Sequence, residues 1–208
     1  MSSHINISSV GRTNCKLLIL DCLKDRHIMI YLKGVFESNH SLMNDDYIHI
    51  FPWISECSKG DKLYIAITFN SFNEELEPLQ MIHAHNIAGI CGWAYVHFKN
   101  TTKSLGNQTI AYISEIIISE PLQKRGIGSG IIDKIYEENI DFIELLSVES
   151  AKLFYNKIGF ESYSDEIDTI FKTKNNKPTK EYIDSLIPKT PKIYKNFDIT
   201  NIYKIYNK

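Results

Sequence analysis

The sequence predicts an α/β protein in which strands and helices alternate, and two observations carry that prediction. Residues 110–118, Ile-Ala-Tyr-Ile-Ser-Glu-Ile-Ile-Ile, are apolar and β-branched, the composition of a buried strand. Behind them Ile127, Ile131 and Ile135 recur at i, i+4 and i+8, one face of an amphipathic helix. Between strand and helix runs Gln123-Lys124-Arg125-Gly126-Ile127-Gly128-Ser129-Gly130, which places three glycines at the turn. Free backbone N–H groups and the helix dipole favour an anion at such a turn, and Lys124 and Arg125 add positive charge. The run reads as a phosphate cradle.

The remaining elements follow in chain order. Residues 15–21 form a first strand around Lys16-Leu17-Leu18-Ile19-Leu20. Residues 23–36 form a helix with Ile28, Leu32, Val35 and Phe36 on one face. Residues 37–60 are irregular, with a short helix at 51–56. Two strands follow, at 62–68 and 87–98, and Gly89 and Gly92 in the second imply a bulge or close packing. A further strand occupies 141–147. Ala151, Phe154, Tyr155 and Ile158 mark a short helix that Gly159 caps. Residues 160–164 and 169–173 read as a closing hairpin, and 179–187 as a helix bounded by Pro178 and Pro188.

Composition narrows the class. The 208 residues suit one domain with an appendage, and their apolar and charged content is ordinary for a globular protein. There is no secretory h-region and no apolar run approaching about 18 residues, so the expectation is a cytoplasmic protein without a membrane partner. Cys15, Cys22, Cys57 and Cys91 share no metal-like or paired spacing, and read as reduced structural thiols. Residues 172–208 carry a net charge of +6, while the rest of the chain carries −8. Ile193, Tyr194, Phe197, Ile199, Ile202, Tyr203, Ile205 and Tyr206 make this basic tail too apolar for a solvated arm. It is expected to pack on its own domain rather than bind nucleic acid.

Spacing decides which cradle this is. A Walker loop would need Gly-Lys-Ser/Thr beginning five residues after Gly126, where Ile131 stands. The dinucleotide fingerprint GxGxxG fails at the same isoleucine. What remains is Gln-x-x-Gly-x-Gly at 123–128, followed by Ala151-Lys-Leu-Phe-Tyr-Asn-Lys-Ile-Gly-Phe160. With each motif on its expected element, residues 60–172 closely resemble the GNAT superfamily of acyl-CoA N-acyltransferases.

The resemblance implies a mixed, mostly antiparallel sheet of about seven strands, flanked by helices and splayed between the fourth and fifth strands to admit acyl-CoA. It assigns residues 1–172 to an acetyltransferase domain and 173–208 to a basic extension. Acetyl-CoA would be the co-substrate, with no metal, and the acceptor a primary amine of a small molecule or protein. The protein would be a monomer or homodimer. Gln123, Lys124, Arg125, Gly126, Ile127, Gly128 and Ser129 would hold the pyrophosphate. The backbone of Ile116, Ile117 and Ile118 would pair with the pantetheine, and Tyr155 would protonate the departing thiolate. His40, His49, Phe51 and Trp53 would wall the acceptor pocket. Val148 stands where many members carry an asparagine that contacts the pantetheine, and the loop there is short. A non-catalytic acyl-CoA-binding module with the same fold is the competing implication.

A base is needed because an amine of lysine-like pKa is neutral in only about 1 molecule in 2,500 at pH 7. Glu115 is the only carboxylate in the central strand. Alternation sets it on the face opposite Tyr112 and Ser114 unless a bulge intervenes. In related enzymes the residue at the Ser114 position more often faces the amine, and an ion pair to a neighbouring helix is an equal reading of Glu115. His83 and His85 read as surface histidines. No cysteine lies in the matched motifs, which points away from an acyl-enzyme.

Overall fold

A computed structural model describes residues 6–9, 14–38, 58–70, 80, 87–164 and 167–187. The strands are β1 (Asn6–Ser9), β2 (Lys16–Asp21), β3 (Lys62–Phe69), β4 (Ile87–Asn100), β5 (Thr109–Ile118), β6 (Phe142–Leu146), β7 (Glu161–Ser164) and β8 (Ile167–Thr173). The helices are α1 (Arg26–Ser38), α2 (Ile127–Tyr136), α3 (Lys152–Lys157) and α4 (Lys180–Leu186). One sheet contains all eight strands, in the order β1-β2-β3-β4-β5-β6-β8-β7. Every neighbouring pair is antiparallel except β5 and β6, which α2 connects as a crossover. This is the GNAT-type α/β architecture that the motifs imply.

The sheet separates two cores. On one face α2 buries Ile127, Ile131, Ile132 and Ile135 against Ala94, Val96, Ala111, Ile113 and Ile143. On the other, α1 buries Ile28, Met29 and Leu32 against Leu18, Leu20, Ile65, Ile67 and Trp93. A third cluster, Ile110, Phe142, Phe171 and Tyr182, seats α4.

Several details depart from the sequence reading, each for a physical reason. The seven anticipated strands are joined by β1, whose Asn-Ile-Ser-Ser carries too little apolar signal to announce a strand. Helix α1 begins at Arg26 rather than at residue 23. The Asp21 carboxylate accepts from the Leu23 and Lys24 N–H groups and Asp25 from the Asp21 N–H, so residues 22–25 form a turn. Cys15 and Cys91 are not reduced thiols: they are joined as a disulfide, their Cα atoms 6.8 Å apart. A pair 76 positions apart has no local spacing to betray it. The short helix at 51–56, Cys57, His40, His49, Phe51, Trp53, His83, His85 and the tail beyond residue 187 lie outside the described residues.

Glycines in β4 behave as anticipated. The β3–β4 register shifts between Ala66 and Ile67 and again between Thr68 and Phe69, opposite Gly92 and Gly89. At Gly92 an added Cβ would lie 2.6 Å from Ile118 Cδ1 and 2.7 Å from the Ile117 carbonyl oxygen. Gly92→Ala is therefore expected to destabilise by about 1–3 kcal/mol through overpacking. Urea denaturation checks it, with a lowered midpoint and an unchanged slope.

Candidate active site at the parting of two strands

Strands β5 and β6 begin side by side and then separate. Their pairing runs from Ile110↔Phe142 to Ile113↔Leu145 and stops there. Strand β5 continues to Ile118, while β6 stays with β8 through Leu146↔Thr169. A cavity of about 180 Å³ occupies the fork, lined on the β5 side by Ile113, Ser114, Glu115 and Ile116. Leu145, Leu146, Val148 and Tyr155 line the opposite side. These two strands are the fourth and fifth of the sequence reading, so the splay sits where it was expected.

The orientation of the open edge follows from three contacts. Ser119 N–H donates to the Cys91 carbonyl at 2.9 Å, so the main chain of residue 119 points toward β4. Alternation then turns Ile117 toward β4 as well, in agreement with its carbonyl lying close to Gly92. Ile116 and Ile118 consequently present their N–H and C=O groups to the fork, and the Ile118 carbonyl accepts from Gln123 Nε2 at 3.2 Å. Of the three isoleucines expected to pair with a pantetheine arm, Ile116 and Ile118 turn their main-chain groups to the fork and Ile117 turns its own to β4.

At the outer end of the fork lies the glycine run. Lys124 (φ 62°) and Gly126 (φ 84°) both adopt left-handed backbone, which bends the chain sharply into α2. A lysine there is strained, and such strain persists where the surroundings require the turn. Ser129 Oγ donates to the Gly126 carbonyl at 3.0 Å, fastening the first turn. The N–H groups of Ile127, Gly128 and Ser129 open the helix and have no carbonyl four residues back inside it. Ile118 and Phe154 stand 3.5 and 3.4 Å from where a Gly128 Cβ would be, so the helix start packs directly on β5 and α3. Gln123 to Ser129 thus form one concave, electropositive turn.

Tyr155 stands at the inner end. It is 6% exposed, the only buried residue of α3, and its ring meets Phe154 and Phe160 edge-on at 5.1 and 5.3 Å. Its helix is held at the far end by Gly159 at φ 90°, the position its spacing marked. Burial pushes the phenol up to about 12. It therefore remains a neutral donor throughout the physiological range.

Glu115 is moved by a bulge. The β4–β5 register runs Tyr95↔Glu115 and then Val96↔Ile113, leaving Ser114 as the extra residue, and Ser114 Oγ donates to the Tyr95 carbonyl at 3.2 Å. The bulge returns Glu115 to the face of Tyr112, on the α1 side of the sheet. The condition on which its catalytic reading depended is met.

Two polar clusters on that same face escaped the sequence reading. Asp61 is 3% exposed, and its Oδ2 accepts from Tyr95 Oη at 2.8 Å and from Ser58 N–H at 2.9 Å, with His97 Nδ1 at 3.2 Å. Glu144, also 3% exposed, accepts from Tyr182 Oη at 2.6 Å, Tyr163 Oη at 2.9 Å and Lys99 Nζ at 3.3 Å. Burial, together with the Glu144 carboxylate, raises the phenols of Tyr112, Tyr163 and Tyr182. Strand alternation over residues 93–99 could have put Tyr95, His97 and Lys99 on one face. Nothing local joins them to Asp61 or Glu144. Among the described residues no group of His, Cys, Asp and Glu could hold a metal ion.

No family model and no curated protein matches the chain. Among solved structures, a GNAT-family acetyltransferase from Staphylococcus aureus Mu50 is 17% identical, with 76% of this chain and 98% of that one covered, at a TM-score of 0.41. An aminoglycoside acetyltransferase from an uncultured soil metagenomic sample is 16% identical, covering 74% and 91%, at 0.44. A KacTA–DNA complex is likewise 16% identical, covering 67% and 80%, at 0.44. At such scores none of the three lends this chain its activity, acceptor or partner.

The cradle geometry makes a direct prediction. Gly126→Asp with Gly128→Asp places two carboxylates in the turn, one at a left-handed position that side chains resist. If the turn holds the pyrophosphate of acetyl-CoA, calorimetry should find that binding abolished, while circular dichroism shows the sheet retained.

Proposed function

We propose that this chain is an N-acetyltransferase that moves the acetyl group of acetyl-CoA to a primary amine by direct attack in a ternary complex. The observation that carries the reading is the fork itself. The stretch of β5 that has parted from β6 runs between the glycine turn at Gln123–Ser129 and a buried, neutral phenol at Tyr155. An extended thioester cofactor with a pyrophosphate at one end needs those three features in that order.

Each part has a chemical task. Gln123, Lys124, Arg125, Gly126, Ile127, Gly128 and Ser129 hold the pyrophosphate with backbone N–H groups and positive charge. Ile116 and Ile118 offer main-chain donors and acceptors to the pantetheine amides and the thioester carbonyl. A fixed donor at a developing oxyanion is commonly a large catalytic contribution. The amine attacks the carbonyl carbon, the C–N bond forms, and the C–S bond breaks as Tyr155 delivers its proton to sulfur. Glu115, returned by the bulge to the face of Tyr112, lines the fork, where its carboxylate would give an ammonium group an anionic approach. Residues 1–172 would carry this work; within the basic extension 173–208, α4 (Lys180–Leu186) buries Tyr182.

One observation favours a second reading, a non-catalytic acyl-CoA-binding module. The side chain at the fork's mouth is the apolar Val148, 66% exposed, where an amide would contact the pantetheine. Release of free thiol from acetyl-CoA across a panel of amines, corrected for hydrolysis, separates the two. Turnover supports transfer, and binding without turnover supports the module.

Tyr155→Phe removes one hydroxyl and keeps the ring that packs on Phe154 and Phe160. Stability should change by no more than about 0.5–1.5 kcal/mol, acetyl-CoA affinity should persist, and turnover should fall about 10²–10⁴-fold. With the phenol near 12, the wild-type rate should show no loss of the acid form between pH 7 and 10. A Tyr155→Phe variant that binds acetyl-CoA and turns over normally would remove the tyrosine from the mechanism.

A further inference from the structure

Resting on the acetyl-transfer reading, we infer that His97, oriented by the buried Asp61 carboxylate, is the general base that takes the proton from the acceptor ammonium. The geometry begins with Asp61. Its Oδ2 already receives donors from Tyr95 Oη and from the Ser58 N–H, which marks it as an acceptor. The third partner, His97 Nδ1 at 3.2 Å, must then carry the hydrogen between them. That fixes the tautomer: Nδ1–H points at Asp61, and Nε2 is the basic nitrogen. The imidazole side chain is 33% exposed against 4% for Asp61, so the base meets solvent while its orienting group does not.

Position ties the pair to the fork. His97 and Tyr95 share one face of β4, with ring centroids 4.8 Å apart, and His97 also stacks on Tyr112 of β5 at 6.1 Å. The bulge at Ser114 brings Glu115 opposite Tyr95, making Glu115 and His97 diagonal neighbours across the β4–β5 pair. Long side chains and one water span such a diagonal. The groups facing His97 are Asp61, Tyr95, Lys99, Tyr112, Glu115 and, beyond Tyr112, Glu144. Lys99 is held by Glu144 at 3.3 Å.

The protons balance. An R–NH3+ acceptor gives one proton to His97 Nε2, and the neutral amine attacks the thioester carbonyl. As the C–S bond breaks, Tyr155 protonates the sulfur and recovers a proton from the new C–N nitrogen. The imidazolium, paired with Asp61, releases its proton to water.

Two measurements on the full chain test this. The first is 15N NMR of the histidines with CoA present. In the neutral His97 ring the hydrogen should sit on Nδ1 and Nε2 should carry none. If the neutral ring instead carries its hydrogen on Nε2, the proposal is wrong, whatever the kinetics. The second is kcat/KM against pH, with acetyl-CoA and either spermidine or trifluoroethylamine, which is already uncharged at pH 7. His97→Gln should lower kcat/KM with spermidine at pH 7 about 10²–10⁴-fold. It should leave acetyl-CoA affinity intact and cost less than about tenfold with trifluoroethylamine, whose nitrogen is already neutral before it attacks. An undiminished rate with spermidine, or an equal loss with both amines, overturns the role of His97 and leaves acetyl transfer standing. A folded wild-type protein that neither binds acetyl-CoA nor acetylates either amine overturns both. Should His97→Gln unfold, His97→Asn replaces it under the same criteria.

Discussion

Everything in this molecule depends on β5 losing its partner after Ile113. Backbone N–H and C=O groups in a sheet interior need partners, and leaving them unmade is costly. Here, among the described residues, the β6-facing groups of Ile116 and Ile118 have no strand partner in the middle of the sheet, and the Ile118 carbonyl accepts from Gln123. The rest of the fold tolerates that vacancy. Strand β4 holds β5 along its whole length, α2 packs beneath it, and the parallel β5–β6 contact anchors the vertex of the fork. An edge kept open inside a rigid frame is a hydrogen-bonding template for an extended ligand.

The same separation distributes the chemistry between two faces. Helices α2 and α3 bring the anion-binding turn and Tyr155 to one side, while the bulge at Ser114 rotates Glu115 to the other. On the proposed acetyl-transfer reading, co-substrate and acceptor approach from opposite sides and meet at the vertex. Without the extra residue in β5, Glu115 would share a face with Ile113 and be buried against α2.

The parts legible in the sequence are those in which a local backbone requirement leaves a residue signature. Gly126 and Gly159 sit at left-handed positions and punctuate α2 and α3. Gly89 and Gly92 announced the irregularity of β4, and the isoleucine period announced α2. What escaped depends on residues far apart in the chain meeting in space. Asp61 and His97 are brought together by the β3–β4 pairing, Cys15 and Cys91 by strands on either side of β3, and Glu144 with Tyr182 by the return of α4. The bulge in β5 lies between. It was recognised as the condition for Glu115, yet Ile-Ser-Glu carries no glycine or proline to reveal it.

The order of the strands has a consequence for how copies of this protein meet. The outermost strands, β1 (Asn-Ile-Ser-Ser) and β7 (Glu-Ser-Tyr-Ser), are four residues each and largely polar. Short polar margins are poor templates for edge-to-edge association. The long β-branched strand most prone to recruit a stray peptide, β5, instead sits in the interior with its exposed groups inside a narrow fork. A sheet built this way confines its stickiness to a slot that admits a slender chain and turns away another sheet.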